Sequence, residues 1–179
     1  MTKTPPRFVP GVLADVKQRF LSAARAGVST DYPDFFRLLG QSYDLTAISR
    51  NGVLSWRLQA VSPDGDMTLI GAGWFRFQAQ PKPLLIEVRA AIVPAHQRRG
   101  LYPQVLRSLR FFYNRPLRSD ISLSDANKKA WAKVGLFDTS TKTYRINPKK
   151  PLSMPEQIRL AWLATEGKMS HVRTRRSRR

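Results

Sequence analysis

One stretch, residues 84–113, sets the strongest constraint on what this chain can fold into. Residues 84–93 (LLIEVRAAIV) form an almost continuous apolar run of strand length, which is typical of a strand buried in a sheet. Pro94 ends the run, and a short basic loop follows as far as Gly100. Beyond Gly100 the apolar residues recur at spacings of three and four, which predicts a helix that carries its proline in the first turn. The stretch therefore predicts a strand, a basic loop and a helix N-terminus, whose free N–H groups are a natural seat for a phosphate group.

The loop in this stretch resembles a family signature. Residues 92–102 (IVPAHQRRGLY) are similar to the pyrophosphate loop of the GNAT superfamily of acyl-CoA-dependent N-acetyltransferases, V-x-P-x-x-[QR]-x-x-G-x-[GA]. Tyr102 departs from the pattern, which has a small residue there, so its ring must point away for a phosphate to be held. Residues 130–137 (AWAKVGLF) resemble the family's second signature, A-x-Y-x-K-x-G-F. The resemblance implies that acetyl-CoA is the co-substrate, that no metal is required, and that eight residues hold the coenzyme: Ile92, Val93, Gln97, Arg98, Arg99, Gly100, Leu101 and Tyr102.

The first 40 residues predict an irregular lead-in followed by two helices. Apolar residues of helical period, ended by Gly27, predict the first helix, and a shorter apolar cluster up to Gly40 predicts the second. The predicted bounds are 1–10 for the lead-in, with a short strand at Phe8–Val9, 12–26 for the first helix, and Thr30 or Asp31 to Gly40 for the second. The resemblance places the acceptor near residues 32–36, whereas an aromatic core is the alternative for those side chains.

Four strand-like runs then predict a sheet. Asn51-Gly52 between the first two runs is a strong hairpin signal. The four runs are 43–49, 53–61, 67–78 and 84–93. After the central helix, the sequence predicts a short strand at 121–123 that runs parallel to 84–93. A helix at 125–134 and a hairpin of 136–137 with 143–146 follow. The predicted fold class is α/β, a mixed and mainly antiparallel sheet flanked by helices, which is the arrangement that the GNAT resemblance implies. The predicted division is a GNAT-like domain at 11–150, an appended helix at 151–168 and an arginine-rich tail at 169–179.

Charge and composition limit the kinds of partner that this chain can have. The chain has 31 basic and 12 acidic residues, a net charge of +19, and +14 remains without the five arginines at 173–179. Such a surface attracts polyanions, which predicts nucleic acid, an acidic protein or the phosphates of coenzyme A as partners, with nonspecific binding as the alternative. The absence of cysteine excludes disulfides and zinc-thiolate sites, and two histidines exclude a multi-histidine metal site. No apolar run approaches the roughly 18 residues that a membrane-spanning helix needs, and the N-terminus has no signal-peptide core, so we expect a cytoplasmic protein without a membrane partner.

Transfer of an acetyl group from a thioester to an amine needs a base, an oxyanion donor and an acid for the leaving sulfur. Glu87, the only carboxylate of the predicted central strand, is the candidate base; pairing with Arg89 or exposure to solvent is the alternative. A single bulge would decide which way Glu87 faces. Trp131 stands where the family commonly has the acidic tyrosine, and an indole cannot give up a proton at neutral pH. Another tyrosine (Tyr102, Tyr113 or Tyr144) or water would have to replace it, and Tyr144 is taken as the second catalytic candidate.

The sequence therefore predicts an acetyl-CoA-dependent N-acyltransferase acting on a primary amine. The positive body favours an anionic acceptor, such as an aminoacyl group on transfer RNA or an amine of an acidic protein. A non-catalytic GNAT-fold module that binds nucleic acid or an acidic protein is the main alternative, and a nucleic-acid-binding protein unrelated to GNAT is a third. The appended helix could dock on the domain or on another subunit, which leaves an oligomer open.

Overall fold

The computed structural model describes residues 8–79 and 84–146, and these form a mixed eight-stranded sheet with three α-helices. The helices are α1 (Phe8–Arg25), α2 (Leu101–Tyr113) and α3 (Asp125–Ala132). The strands are β1 (Asp31–Leu38), β2 (Gln41–Arg50), β3 (Val53–Val61), β4 (Met67–Gln78), β5 (Leu84–Ile92), β6 (Leu117–Arg118), β7 (Leu136–Asp138) and β8 (Thr143–Ile146). Their order across the sheet is β1-β2-β3-β4-β5-β6-β8-β7, with β5 and β6 as the one parallel pair among these strands.

The sheet separates two hydrophobic cores. The larger core lies between one face of the sheet and helices α2 and α3, and it includes the fully buried Trp56 and Trp131. The smaller core lies between the other face and α1, where Val16 and Ala72 are fully buried. Arg19 of α1 also covers this second face: its guanidinium lies 4.5 Å from the ring centre of Trp74. Part of the positive charge is thus used to pack α1 against the sheet.

Strand β5 is the strand on which both cores and the parallel pair meet. Its ladder with β6 comprises only Leu85 with Leu117 and Ile86 with Arg118. β6 ends at Arg118 while β5 continues to Ile92, so β6 pairs only with the start of β5. On its other side, β5 pairs with β4 and has one extra residue, Val88, where the register shifts. The centre of the sheet therefore has a bulge in β5 close to the end of its parallel ladder with β6.

The first half of the chain contains two errors of prediction. Residues 8 and 9 begin α1 and are not a strand. The predicted second helix is wrong, because residues 31–38 form the edge strand β1, paired antiparallel with β2. Leu39 and Gly40, at φ of 50° and 79°, close a two-residue hairpin there. Leucine seldom adopts a positive φ, so the sequence carried no turn signal at that point.

In the rest of the chain most predictions are confirmed. Strands β2 to β5, helices α2 and α3, and the closing β7–β8 hairpin lie where the sequence predicts them. The short parallel strand is misplaced: it is Leu117–Arg118, directly after Pro116, and Ile121 is largely exposed. The appended helix and the arginine tail lie outside the described residues. Within residues 8–79 and 84–146, no helix is long and apolar enough to cross a membrane.

Candidate functional site

Glu87 occupies the centre of the molecule because of the bulge at Val88. Leu85 and Ala90 both lie in the core beneath α2, although residues five apart in a regular strand point to opposite faces. The extra residue at Val88 corrects this parity, and it also separates Glu87 from Arg89. Arg89 is exposed, with its guanidinium 5.7 Å from the ring of Phe8 on the α1 side. The alternative that Glu87 pairs with Arg89 or faces solvent is therefore wrong: Glu87 is only 3% exposed.

Two side-chain donors from helices α2 and α3 bind the Glu87 carboxylate. The hydroxyl of Tyr102 donates to Oε1 at 2.5 Å, and the indole N–H of Trp131 donates to Oε2 at 2.6 Å. Burial raises the pKa of Glu87 from 4.5 to about 7, against the opposing effect of these donors. A carboxylate with that pKa exchanges protons near neutral pH, which suits a general base.

Tyr102 points into the core and not into the basic loop. Its side chain is 6% exposed and its ring stacks on Trp56, with centroids 5.9 Å apart. Burial and the neighbouring Glu87 raise the pKa of its phenol well above the usual 10. The condition set by the sequence, that the ring of residue 102 points away from the phosphate seat, is therefore met.

The basic loop between β5 and α2 is closed by Gln97. Its side-chain amide donates to the carbonyl of Ile92 at 2.7 Å, and its backbone N–H donates to the carbonyl of Pro94. The N–H of Val93 is bonded to the carbonyl of Ile70 in β4. Three of the predicted coenzyme-binding residues (Ile92, Val93 and Gln97) thus already have these bonds within the protein, and they hold the loop in shape.

The other predicted coenzyme-binding residues present groups suited to an anion. Arg98 and Arg99 are exposed, and Gly100 is the N-cap of α2 at φ 78°. Leu101 and Tyr102 bury their side chains, and as first-turn residues their N–H groups have no partner within the helix. Two guanidinium groups beside a helix N-terminus form an arrangement that can hold a phosphate.

His96 is turned inward and not toward that anion seat. Its ring packs edge-on against Tyr43, with centroids 6.3 Å apart, and its buried Nδ1 has no hydrogen-bond partner among the described residues. Burial and the charge of Arg99 lower its pKa, so the ring stays neutral at pH 7.

The remaining predicted residues have partners other than Glu87. The ring of Tyr144, on β8, contacts Phe137, while the hydroxyl of Tyr113 donates to Asp31 at 2.6 Å. The carboxylate's side-chain partners are Tyr102 and Trp131 instead. Residues 32–36, the expected acceptor region, belong to the edge strand β1. Across the described ranges, no group of three potential metal-ligating side chains comes together.

Sequence reasoning missed how the cluster assembles. In the sequence, Trp131 and Tyr102 are both departures from the family's signatures, yet both bind the same carboxylate. Trp56 was not considered, because nothing in β3 marks it. One signal was available: tyrosine and tryptophan seek partners for their polar atoms when buried, and Glu87 was the one carboxylate in the central strand.

No family model matches this chain, and no curated protein matches it.

Proposed function

We propose that this protein is an acyl-CoA-dependent N-acyltransferase of GNAT type. The observation that carries the proposal is the unit formed by β5, the basic loop and α2. Gly100 begins α2 in the left-handed conformation, Arg98 and Arg99 lie beside it, and the ring of Tyr102 is turned into the core. We propose that the pantetheine arm lies along β5 beyond the end of β6, and that the diphosphate binds at the loop. Acetyl-CoA is the co-substrate of the proposal.

In the proposed reaction the acceptor nitrogen attacks the thioester carbonyl carbon. A C–N bond forms, the C–S bond breaks, and one proton moves from the amine to the leaving sulfur. Glu87 accepts the amine proton, and its pKa of about 7 permits this at neutral pH. Tyr102, hydrogen-bonded to Glu87, gives its phenolic proton to the sulfur and is reprotonated by Glu87. We assign the acid role to Tyr102 and no longer to Tyr144, since only the former contacts the carboxylate.

Gly100 provides the sharpest test of coenzyme binding. A side chain added at this position meets nothing within 4 Å, so a substitution acts through the backbone conformation alone. Gly100→Asn keeps the left-handed conformation accessible, whereas Gly100→Val does not. At 100 times its Kd, acetyl-CoA should add about 2.7 kcal/mol to the free energy of unfolding, which raises the melting temperature by about 5–10 °C. We expect this shift in the wild type and Gly100→Asn, and its loss in Gly100→Val; an equal shift in both variants would refute the loop assignment.

Catalysis is tested separately by release of free CoA in the presence of candidate amines. Glu87→Gln should lower the rate by about 10²–10⁴, the usual contribution of a general base, and leave the acetyl-CoA melting shift in place. Anionic amines, including aminoacylated RNA, should react faster than basic peptides, because the body of the protein is positive.

One observation favours a second candidate, the non-catalytic binding module. Glu87 is sealed from solvent, and donors from Tyr102 and Trp131 occupy both carboxylate oxygens. An amine could reach it only by displacing one of them. Coenzyme binding without CoA release for any amine would support this candidate, with the positive surface as the site for nucleic acid or an acidic protein.

A further inference from the structure

An apolar cavity lies at the end of α2 opposite the basic loop. Its volume is about 400 Å³, and its apolar walls are Leu54, Phe77, Leu85 and Tyr113. Phe77 is 41% exposed, and the ring of the exposed Phe112 contacts Tyr113 with centroids 4.9 Å apart. Such a volume is within the range of cavities that take an apolar group, and exposed aromatics around a cavity indicate a binding surface. We call the cavity with Phe77 and Phe112 the α2-end pocket.

The guanidinium groups at this pocket do not make it an anion site. Arg50 lines the cavity, but its guanidinium donates to Ser22 of α1, on the other side of the sheet. Arg115 lies 5.9 Å from the ring of Phe77 and extends the aromatic surface. The C-terminus of α2 adds a partial negative charge here, so an apolar occupant suits the pocket better than an anion.

The described chain ends close to this pocket. Leu85 on the pocket wall pairs with Leu117 of β6, and Leu117 pairs with Ile146, the last described residue. Two interstrand spacings put Ile146 roughly 10 Å from Leu85. All three side chains belong to the core beneath α2, so the chain leaves the sheet beside the layer that contains the pocket.

The sequence beyond Ile146 contains an apolar stretch suited to fill the α2-end pocket. Thirty-three residues follow, and between positions 152 and 163 seven of the twelve are apolar: Leu152, Met154, Ile158, Leu160, Ala161, Trp162 and Leu163. Ile158, Ala161, Trp162 and Thr165 share one face if the stretch is helical. The eleven residues before Ile158 can span about 35 Å, well beyond the 10 Å required. We propose that residues 152–165 of the same chain dock on the α2-end pocket, with the indole of Trp162 in the cavity.

The fluorescence of Trp162 reports on docking directly in the full-length chain. The difference in emission between the wild type and Trp162→Phe isolates its signal from the other three tryptophans. We expect that signal to be blue-shifted and protected from acrylamide. Phe77→Ser should abolish the protection, whereas Phe137→Ser should not, since Phe137 is an exposed aromatic on β7, outside the residues that line the pocket. Protection that survives Phe77→Ser, or that is lost in Phe137→Ser, would overturn the proposal.

A cross-link keeps the test valid if Phe77→Ser unfolds the domain. The chain has no cysteine, so two introduced cysteines form a unique pair. Ser49→Cys at the pocket with Thr165→Cys should give an intramolecular disulfide under mild oxidation, and Ser140→Cys with Thr165→Cys should not. Equal yields in both pairs would contradict docking at this pocket. A disulfide-linked dimer formed only by the Ser49 pair would instead show that the segment of a second copy is the occupant, and would overturn docking within one chain.

Discussion

The buried carboxylate of Glu87 should make stability depend on pH in an unusual direction. Its pKa rises from 4.5 in the unfolded chain to about 7 in the folded protein, because burial penalises the charged form. A folded state that holds the proton more tightly is stabilised below pH 4.5, and this stabilisation is lost as the pH rises through 7. A tenfold change in proton affinity is worth about 1.4 kcal/mol, so the whole effect is about 3 kcal/mol, of which about 2.5 kcal/mol falls between pH 5 and pH 8.

Glu87→Gln isolates this contribution. Glutamine has the same shape, does not ionise, and can accept from Trp131 while its amide donates to the Tyr102 oxygen. Urea unfolding of both proteins at pH 5, 6, 7 and 8 gives the difference in unfolding free energy at each pH, in which all other titrating groups cancel. We expect the wild type to lose about 2.5 kcal/mol relative to Glu87→Gln between pH 5 and pH 8. A flat difference, or one that grows in favour of the wild type as the pH rises, would refute the reasoning.

A second substitution checks the cause of the shift. Trp131→Phe removes one donor from the carboxylate, so the pKa of Glu87 should rise further and the loss of stability should move to higher pH. Trp74→Phe, on the α1 side of the sheet, is the matched control and should leave the pH at which stability is lost unchanged.

Two further predictions concern backbone conformation. Leu39→Asn should stabilise the protein by about 1 kcal/mol and raise the melting temperature by about 3 °C, because asparagine tolerates the φ of 50° and the 78% exposed leucine loses no packing; the reverse change, Asn51→Leu in the equivalent β2–β3 turn, should cost about as much. Gly73→Ala should destabilise by about 1–3 kcal/mol or more, because the added Cβ would lie 2.4 Å from the carbonyl oxygen of Arg89, whereas Gly71→Ala meets only the movable end of a side chain and should cost less. Urea titration measures each, and equal costs at the two glycines would contradict the close-approach argument.

Local signals in the sequence account for most of the fold. The Asn51-Gly52 turn, the apolar run 84–93 and the helical spacing after Gly100 each describe contacts between near neighbours. The edge strand β1 could not be predicted in this way. Its turn contains Leu39 in a conformation that leucine rarely adopts, and its aromatic residues fit a helix or a strand equally well. The strand was recognisable only from its pairing with β2.

The candidate site, like the fold, was predictable from the sequence only in part. The sequence singled out Glu87 and Trp131, and it stated that one bulge would decide where Glu87 points. The bulge at Val88 and the convergence of Tyr102 and Trp131 on one carboxylate could not be derived, because they join β5, α2 and α3 over separations of 15 and 44 residues. Such contacts depend on the packing of whole elements, which no local pattern specifies.

The loss of stability that the ionised Glu87 causes helps to decide which function the site serves. At pH 8 the folded protein holds a desolvated carboxylate, and about 2.5 kcal/mol of the stability that its proton provides at pH 5 is lost there. A packing role does not require that cost, because an uncharged residue of the same shape could join β5 to α2 and α3 with fewer donors. A proton-transfer role does require it, since a base must change charge near the working pH and must be held next to its partner, here the phenol of Tyr102. If Glu87→Gln is more stable than the wild type at pH 8 and also fails to release CoA, the carboxylate lowers stability and serves catalysis. If Glu87→Gln is more stable and the wild type only binds the coenzyme, the same carboxylate belongs to a binding module.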